Sequence, residues 1–462
     1  MKNKTVLSRR NFLKITGTTV GGMAVMPSIV PSSVRGPYAP SNRINIGFIG
    51  MGRIAREHNF PGVAKHPQAH ILAVCDLDSK RLEDARRLVE TFYAEKRGEK
   101  YTGVRTYANY RELLADKEID AVVISTPDHW HGLIAIEAAL AGKHIYLEKP
   151  CTLTHEEGRI LSNVVHRTGV VFQLGTQQRS WEQFRRACEL VRNGRIGELK
   201  HIQVGLPVDP SCGEEPEMPV PPNLNYEMWL GPARWAPYTE KRVHPQHDYS
   251  RPGWLRIEDY CLGMITGWGV HHMDIVHWGM GTEYTGPVTI SGRAEFPQSG
   301  LWTVHGKYKV DAYYANGVHV EISDDFPNGV RFEGTEGWIF VTRGNYSVTS
   351  SDPNKKGGHA DSPLQASNPS LLTSKIPDTE IHLYKSTDHH GNWLSCIQTG
   401  LPPVCPVETG HRSTAVCIIS HIAMKLGRTL HWDPLRERFI NDDEANAMLS
   451  RHQRYPYVID VR

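Results

Sequence analysis

Two glycines, an alanine and a carboxylate near the start of the chain have the types and spacing that bind a dinucleotide. The apolar run 44–49 is followed by Gly50, Gly52 and Ala55 in the order G-x-G-x-x-A. Gly50 suits a tight turn, Gly52 lets backbone N–H groups approach a pyrophosphate, and Ala55 lets a helix pack closely on the strand. A second apolar run ends at Asp76, 26 positions after Gly50 (76 − 50), close to the spacing of a carboxylate that binds the adenosine ribose. Together these residues predict a nucleotide site.

We expect NAD as the cofactor, because the carboxylate of Asp76 would repel the 2′-phosphate of NADP. Lys80 and Arg81 follow closely in the sequence and make that preference a moderate one. Residues at the ends of other predicted strands should line the same site. The expected cofactor contacts are Gly50, Gly52, Arg53, Ile54, Asp76, Thr126, Pro127, His131, Glu148 and Lys149.

Two short motifs carry side chains that can move a proton during catalysis. Glu148-Lys149-Pro150 follows an apolar run, and a lysine whose pKa is lowered by burial beside a cationic nicotinamide exchanges a proton near neutral pH. The alternative is a surface lysine paired with Glu148. The second motif is His271-His272, for which the alternative is packing in a core or on a helix surface. We take Lys149 and His271 as the candidate catalytic residues.

Acidic and histidine neighbours of His271 bear on its role. Asp274 follows it by one helical turn, where its carboxylate is placed to orient the imidazole. Asp259 is a second acid that could enter the pocket. His271, Asp274 and His277 do not predict a metal site, because the spacing of the two histidines on one helix turns their rings apart. We therefore expect no metal.

The elements that position these groups alternate between strand and helix. Helical patterns cover 110–115 and 133–141, and strand patterns cover 121–125 and 144–147. This βαβαβ order predicts a doubly wound parallel sheet, the Rossmann arrangement, over residues 42–165. Ligands of such sheets bind beyond the carboxyl ends of the strands. Thr126-Pro127, after the predicted strand 121–125, and Glu148-Lys149-Pro150, after the predicted strand 144–147, both lie at such ends.

Residues 166–430 are expected to form a second, α+β domain. The segment 207–252 holds 10 of the 30 prolines and several aromatic residues, which predicts an irregular loop region. Aromatic faces stack on sugars while Arg and Asp bind hydroxyls, although such loops also simply bury against a sheet. Six later strand-like runs predict an open, mostly antiparallel sheet, and a polar segment, 431–462, ends the chain. The substrate candidates from this part of the sequence are Trp254, Arg256, Asp259, Tyr260 and His272.

The chain resembles the Gfo/Idh/MocA oxidoreductase family from about Arg43 to the C-terminus. The resemblance rests on four motifs in the family's order: the glycine turn, Thr126-Pro127, Glu148-Lys149-Pro150 and His271-His272. The Glu-Lys-Pro triplet at a strand end is the most telling mark. The resemblance implies that Lys149 lies between nicotinamide and substrate and contacts the hydroxyl that is oxidised. It adds Gln178 and Arg179 as pocket residues. It also implies an open sheet whose outer face makes oligomer contacts, so a homo-oligomer is expected.

One position departs from the family pattern. The family motif Asp-x-x-x-His supplies a carboxylate and an acid/base histidine, and here the histidine is His271 while Gly267 stands at the aspartate position. His271 therefore lacks the usual proton-relay partner. This departure makes specialised chemistry more credible.

The first 35 residues are expected to be a targeting segment. Arg9 and Arg10 lie in the run SRRNFLK ahead of a weakly apolar stretch, which looks like a twin-arginine export signal, read by a receptor that exports folded proteins. The alternative is a basic tail. Export in the folded state suggests a cofactor inserted before export, and we expect a periplasmic or extracytoplasmic protein with no membrane association in its mature form.

Composition narrows the function. Near-balanced charge, 52 Lys+Arg against 50 Asp+Glu, gives no reason to expect a nucleic-acid partner. The 8 cysteines are scattered without metal-type spacing, so we interpret them as mostly free core thiols, with one or two disulfides as the alternative. The sequence thus favours an exported NAD-dependent oxidoreductase for a sugar or cyclitol hydroxyl, its cofactor held and recycled in place. A redox-neutral NAD-dependent glycosidase or lyase, and a non-catalytic sugar-binding protein that retains NAD, are the alternatives.

Overall fold

The structure, a computed structural model, describes residues 43–344 and 362–461. Its first sheet contains six parallel strands in the order β3-β2-β1-β4-β5-β6. The chain leaves β1 in one direction through β2 and β3 and returns to its other side through β4, β5 and β6. The order therefore reverses between β1 and β4, which is where ligands bind in such sheets. The strands are β1 Ile44–Ile49, β2 Ala69–Cys75, β3 Arg105–Tyr107, β4 Ala121–Ile124, β5 His144–Leu147 and β6 Phe172–Leu174.

The second sheet contains nine strands in the order β13-β12-β11-β7-β10-β9-β8-β14-β15. Its neighbours are antiparallel except β7 and β10, which run parallel. The predicted fold class, a Rossmann sheet with a mostly antiparallel α+β partner, is confirmed. The strands are β7 Leu199–Gly205, β8 Thr289–Ala294, β9 Tyr308–Tyr313, β10 His319–Ser323, β11 Gly329–Gly334, β12 Gly337–Val341, β13 Leu364–Ala366, β14 Leu430–Asp433 and β15 Arg438–Phe439.

Twelve α-helices connect and cover the sheets within the described residues. They are α1 Phe60–Ala64, α2 Ser79–Arg97, α3 Tyr110–Ala115, α4 Asp128–Leu140, α5 His155–Thr168, α6 Glu182–Arg192, α7 Tyr226–Leu230, α8 Met264–Gly267, α9 Gly269–Met280, α10 His389–Thr399, α11 Val407–Leu426 and α12 Asp443–Ala447. Local sequence explains where several begin. The Asp78 side chain caps α2, and Thr154 and Glu157 form a reciprocal capping box at α5. A stretch of π-helix, Ala55–Asn59, precedes α1.

The ends of the two sheets differ from the segments predicted from the sequence. Strand β6 lies beyond residue 165 yet pairs with β5 in the parallel sheet. Strands β14 and β15, within or next to the predicted C-terminal segment, join the edge of the second sheet. These three strands are short, and their sequences do not show enough alternation of apolar residues to predict which strand each one pairs with.

Helix α11 is buried on nearly all sides and packs against β8, α5 and α9. The apolar side chains of α9 and α11 share one continuous core with both sheets. The proline-rich region has a smaller core of its own, built around Trp229 and Tyr260. All eight cysteines carry free thiols, and all but Cys212 are buried. Among residues 43–344 and 362–461 no helix has both the length and the apolar character needed to cross a bilayer.

Candidate functional site

A cavity of about 400 Å³ opens at the carboxyl ends of the parallel strands. One wall carries the glycine turn, the end of β4 and the Glu-Lys-Pro motif. The opposite wall carries Trp254, Trp268, His271 and Arg343. Two motifs far apart in the sequence therefore share one pocket, as expected for a site at the reversal point of the sheet.

The glycine turn has the shape that a dinucleotide phosphate requires. Gly50 has a φ of +83°, and a Cβ there would lie 2.9 Å from the backbone of Ser125, so only glycine fits. Ala55 is fully buried against the sheet. The backbone N–H of Met51 donates to the carboxylate of Asp76 at 2.8 Å. These residues fit the pyrophosphate and ribose of a dinucleotide.

Asp76 has a local role besides the one predicted for it. One carboxylate oxygen accepts the Met51 N–H and the other accepts the Asp78 N–H at 2.9 Å, so the side chain fixes the glycine turn to the end of β2. Arg81 lines the same part of the pocket. Its guanidinium donates to the carbonyls of Pro245 and Asp248. Arg81 is thereby fixed to the loop that covers this end of the pocket.

The π-helical turn, Ala55–Asn59, brings the side-chain amide of Asn59 to the end of β5. Asn59 is fully buried, and its Nδ2 donates to Glu148 Oε1 at 3.1 Å and to Ser125 Oγ at 3.0 Å. Its Oδ1 accepts a hydrogen bond from Nε2 of His390 at 3.0 Å. Gln177 Nε2 also donates to Glu148 Oε1 at 3.4 Å. Such π-turns are frequent at functional sites, and this one holds the carboxylate beside Lys149.

Lys149 reaches across the pocket to the second half of the molecule. Its Nζ donates to the carbonyl oxygen of Gly267 at 2.6 Å. The carbonyl thus supplies an acceptor at the position where the family pattern has a carboxylate. A Cβ at Gly267 would meet only the sulfur of Met264, at 3.8 Å. Packing therefore does not require glycine at this position.

His271 lies in the pocket as a neutral imidazole. Burial, with the positive charges of Arg343 and Lys149, lowers its pKa well below the usual value. A neutral imidazole can accept a proton. Asp274 does not orient this ring, contrary to the prediction, because its carboxylate binds the guanidinium of Arg179 at 2.7 and 2.9 Å.

The predicted cofactor contacts come together in the pocket. The prediction included residues from the glycine turn, the ends of β2 and β4, and the Glu-Lys-Pro motif. His131 Nδ1 lies 2.7 Å from the carbonyl oxygen of Pro150 and its Nε2 lies 2.9 Å from that of Thr126, and a neutral imidazole donates to one of the two. Burial lowers its pKa to about 4, which keeps the ring neutral. The pocket is lined by Gly50, Gly52, Arg53, Ile54, Asp76, Thr126, Pro127, His131, Glu148 and Lys149.

Only one of the predicted substrate residues lines the pocket. Trp254 lines the pocket, whereas Arg256 stacks 4.4 Å over Trp302 and pairs with Asp209. Tyr260 is fully buried. Its ring packs on those of His129 and Trp229, with 4.9 Å between ring centroids in each case. The backbone carbonyl of Asp259 accepts from Arg451, and the side chain does not line the pocket.

The remaining substrate candidates lie behind the pocket wall. Arg179 is buried between Asp274 and Glu283 in an ion-pair network. His272 bonds Asn328 at 2.8 Å. The amide of Gln178 bridges the His271 carbonyl and the Nε of Arg343, so it supports two residues that do face the cavity. Of the predicted substrate residues, Trp254 lines the cavity, and the others lie outside its lining.

Many pocket residues were absent from the predicted set. Among them, His58 follows the glycine turn, Trp181 directly precedes α6, Arg251 lies in the proline-rich region and Arg343 follows β12. The guanidinium of Arg343 stacks over the ring of Trp268 at 4.4 Å. The only sequence signal for these residues was their position after a strand or turn, and many other residues in the chain have such a position.

One group of metal-type ligands comes together within the described part of the chain, outside the pocket. The ligand atoms of His155, His411 and Glu437 lie within 4.8 Å of one another. Arg159 and Arg412 both pair with the Glu437 carboxylate. A divalent cation would add buried positive charge to a carboxylate that is already neutralised. We assign the group to stability, where it ties the β14–β15 turn to α5 and α11.

The fold and this pocket define a protein with a Rossmann half whose residues fit a dinucleotide. Family models give the same result. Residues 44–176 match the oxidoreductase family with an NAD-binding Rossmann fold, and residues 212–356 and 370–459 match the C-terminal alpha/beta domain of that family. The chain belongs to the Gfo/Idh/MocA oxidoreductase family.

Individual proteins are similar over part of their length or in fold alone. The chain is 35% identical over 161 residues to an uncharacterised oxidoreductase of Rhizobium meliloti, covering 35% of this chain and 44% of that protein. It is 29% identical over 212 residues to a glycosyl hydrolase family 109 protein of Shewanella pealeana, covering 42% and 45%. The chain thus spans about half the length of these relatives. The crystal structure of the WlbA dehydrogenase from Bordetella pertussis, in complex with NADH and UDP-GlcNAcA, shares the fold with a TM-score of 0.60 at 17% identity, over 85% of this chain and 98% of that one.

Proposed function

We propose that this protein is an NAD-dependent oxidoreductase that acts on a hydroxyl group of a sugar or cyclitol. One observation carries the proposal: Lys149 lies at the end of β5, in the same cavity as the glycine turn and the neutral His271. When bound, NAD supplies the hydride acceptor. Lys149 Nζ and the His271 ring are the groups of this chain that can take the hydroxyl proton.

The pocket walls suit a carbohydrate substrate. Trp181, Trp254 and Trp268 line the cavity, and indole faces pack on the C–H surfaces of a sugar ring. Arg251, Arg343 and Gln177 add hydrogen-bond donors to the same cavity, so apolar faces and polar donors alternate around it. The sugar-related neighbours, WlbA and the glycosyl hydrolase, support the same substrate class.

We further propose that the cofactor stays bound and is recycled in place. The predicted twin-arginine signal at Arg9 and Arg10 lies outside the described residues, and periplasmic location stays a prediction. A protein exported in the folded state would find no free NAD to replace a released NADH. A second substrate, or the same sugar at a later step, must then take the hydride back.

The experiment that tests this function starts from the exported protein. It is purified from the periplasmic fraction, denatured and examined for released dinucleotide, and the intact protein is screened with sugars with and without an added acceptor. We expect about one NAD per chain and sugar oxidation that depends on the acceptor. Protein that carries no dinucleotide, does not bind added NAD and oxidises no sugar would overturn the proposal. Lysines in place of Arg9 and Arg10 should abolish export if the signal is real.

A redox-neutral NAD-dependent glycosidase or lyase is the second candidate function. Two observations favour it: the similarity to a glycosyl hydrolase family 109 protein, and Gly267 at the aspartate position of the family's relay. Such an enzyme oxidises a sugar transiently, cleaves it and reduces it again. Release of free sugar from a glycoside without net NADH would distinguish it from a dehydrogenase.

A sugar-binding protein that keeps NAD without catalysis is the remaining alternative. Its ligand affinity would be nearly unchanged by Lys149→Ala, whereas either enzyme would lose turnover. We also propose a homo-oligomer that uses the outer face of the second sheet. That face carries Tyr313 stacked on His319, with 4.4 Å between ring centroids, and a Lys309–Glu321 ion pair. Sedimentation velocity of the wild type against Tyr313→Glu tests this contact.

A further inference from the structure

A second carboxyl group faces the pocket beside Lys149. Asp128 is the first residue of α4, directly after β4, and Lys149 follows β5, the neighbouring parallel strand in which Leu147 pairs with Ile124. Asp128 is only 3% exposed, yet it lines the pocket. Its Oδ2 has no hydrogen-bond partner among the residues that the structure describes. A buried carboxyl oxygen without a partner at a pocket wall is costly unless a ligand or proton satisfies it.

The groups around Asp128 leave Lys149 as its main ionic neighbour. Burial raises the pKa of Asp128 to about 7, and Lys149 opposes that rise most strongly, with a hydrogen bond from the Cys261 thiol acting in the same direction. Burial raises the pKa of the Cys261 thiol, which stays protonated. Burial also keeps His131 neutral, and His131 lies on α4 together with Asp128. His129, also on α4, is neutral because burial lowers its pKa to about 3. Glu148 is the other nearby charge, and its carboxylate is occupied by Asn59 and Gln177.

We propose that Asp128 and Lys149 form one acid–base pair that shares a single exchangeable proton. In one state the pair is a carboxylate and an ammonium ion, and in the other it is a carboxylic acid and an amine. Between them one Nζ–H bond breaks and one O–H bond forms, with no change in electron count. Two ionisable groups that interact by more than about one pKa unit titrate as a pair. Asp128 acts through Lys149 and is a positioning residue in this sense.

The pair deepens the proposed function and rests on it only for the role of Lys149 toward the substrate hydroxyl. An enzyme that recycles its cofactor in place must keep the hydroxyl proton available as well as the hydride. Asp128, buried and titrating near neutrality, is suited to hold that proton at its free oxygen until Lys149 takes it back.

The pairing is tested without substrate or added cofactor. The folded protein is treated with a trace of acetic anhydride across a pH series, and acetylation of Lys149 is quantified by peptide mass spectrometry against the exposed Lys117 as internal standard. Loss of the Asp128 charge removes a stabiliser of the ammonium form. In Asp128→Asn the pH of half-maximal labelling should therefore fall by about one unit or more. Asp116→Asn, which changes a carboxylate that pairs with Arg105, is the matched control and should leave the midpoint unchanged.

An Asp128→Asn protein with the wild-type midpoint would overturn the inference. If that variant does not fold, as judged by its thermal melt, Cys261→Ala keeps the carboxyl group but removes a donor that favours its ionised form. The midpoint for Lys149 should then fall by a smaller amount, and an unchanged midpoint again refutes the pair.

Turnover separates this inference from the proposed function. With an oxidisable sugar, Asp128→Asn should shift the acidic limb of the kcat profile and leave KM within about twofold, a split that a general loss of structure would not produce. A labelling shift in a protein that oxidises no sugar would support the pair and overturn the function. Sugar oxidation with no labelling shift would support the proposed function and overturn the Asp128–Lys149 pair.

Discussion

The Nζ atom of Lys149 lies 2.6 Å from the carbonyl oxygen of Gly267. This hydrogen bond joins the end of a Rossmann strand to the short helix α8 of the second half. It orients the lysine without neutralising it, because a carbonyl dipole carries no net charge. The lysine therefore keeps both its direction and its capacity to exchange a proton, which is the basis of the first prediction.

Replacing Lys149 by methionine should remove turnover and spare the cofactor. Loss of a positioned acid–base group typically lowers kcat by about 10² to 10⁴. The glycine turn and Asp76 remain, so the dinucleotide content of the purified protein should stay within about twofold of wild type. Lys117→Met, at an exposed lysine, is the matched control and should behave as wild type. A Lys149→Met protein with full activity would exclude the lysine from the chemistry.

Replacement by alanine should affect stability to different extents at two glycines on neighbouring helices. A Cβ at Gly267 meets only Met264 Sδ at 3.8 Å, whereas a Cβ at Gly279 would lie 2.6 Å from the ring of Phe332. Gly267→Ala should therefore change the free energy of unfolding by less than about 1 kcal/mol, and Gly279→Ala should lower it by about 1–3 kcal/mol. Urea denaturation measures both.

The same space at Gly267 allows the family's carboxylate to be restored. Gly267→Asp should fold and should raise the rate of net NAD reduction by a sugar, because an acidic side chain beside Lys149 and His271 supplies the missing relay. Initial rates at saturating NAD measure the effect, with Gly267→Asn as the uncharged control. Equal rates in the Asp and Asn variants would show that the relay is not what the site lacks.

Asp76 should set cofactor preference. Asp76→Asn keeps the size of the side chain and removes the charge that opposes a 2′-phosphate, while Arg81 remains in the pocket. The affinity for NAD should fall by at least about 1–2 kcal/mol, because a charged hydrogen bond to the ribose becomes a neutral one and the amide can accept only one of the N–H groups of Met51 and Asp78. NADP should gain relative to NAD. Titrating apoprotein with both cofactors by fluorescence gives the ratio. An unchanged ratio would leave the choice of cofactor to other residues.

Arg179 should prove structural. Its guanidinium binds Asp274 through two hydrogen bonds in a fully buried pair. Arg179→Met leaves that carboxylate without its partner and should cost about 3–5 kcal/mol of stability, whereas the double variant Arg179→Met with Asp274→Leu should recover most of the loss. A folded Arg179→Met protein with a raised KM and normal stability would restore the substrate role that the sequence suggested.

Stability should decline between neutral and mildly acidic pH. Burial lowers the pKa of eleven of the described histidines. Among them, the pKa is about 3 for His129 and about 4 for His131, His272, His277, His305, His389 and His411. In the unfolded chain these rings take up protons near pH 6.5. Between about pH 6.5 and 4 the unfolded state therefore binds more protons, and the stability falls as the pH falls.

Each of these histidines contributes a slope of up to about 1.4 kcal/mol per pH unit. Asp128, whose pKa burial raises to about 7, opposes them with one proton. Chemical denaturation at pH 7, 6 and 5 should show a net uptake of several protons on unfolding. A flat profile over that range would show that these rings titrate normally in the folded protein.

The sequence was most informative where one local pattern suffices. The glycine turn, with Gly50 and Asp76, and the strand end at Lys149 follow from spacing alone. His58 and Arg343 were missed because a π-turn changes the helical register and because a residue after a strand in the second half reaches the pocket only through the packing of both halves. Arg179 was misplaced for a similar reason, since Asp274, which buries it, lies 95 positions further along the chain.

The amide of Asn59 bonds the carboxylate next to Lys149 from within the turn that follows the glycines. The loop that follows β1 and the end of β5 are therefore coupled structurally through this hydrogen bond. A glycine loop transplanted from another dehydrogenase, with an ordinary α-helical register in place of residues 55–59, would carry its side chain at this position away from Glu148. Recombination between relatives should keep the two segments from one parent, and a chimaera that splits them should bind cofactor yet hold its lysine poorly.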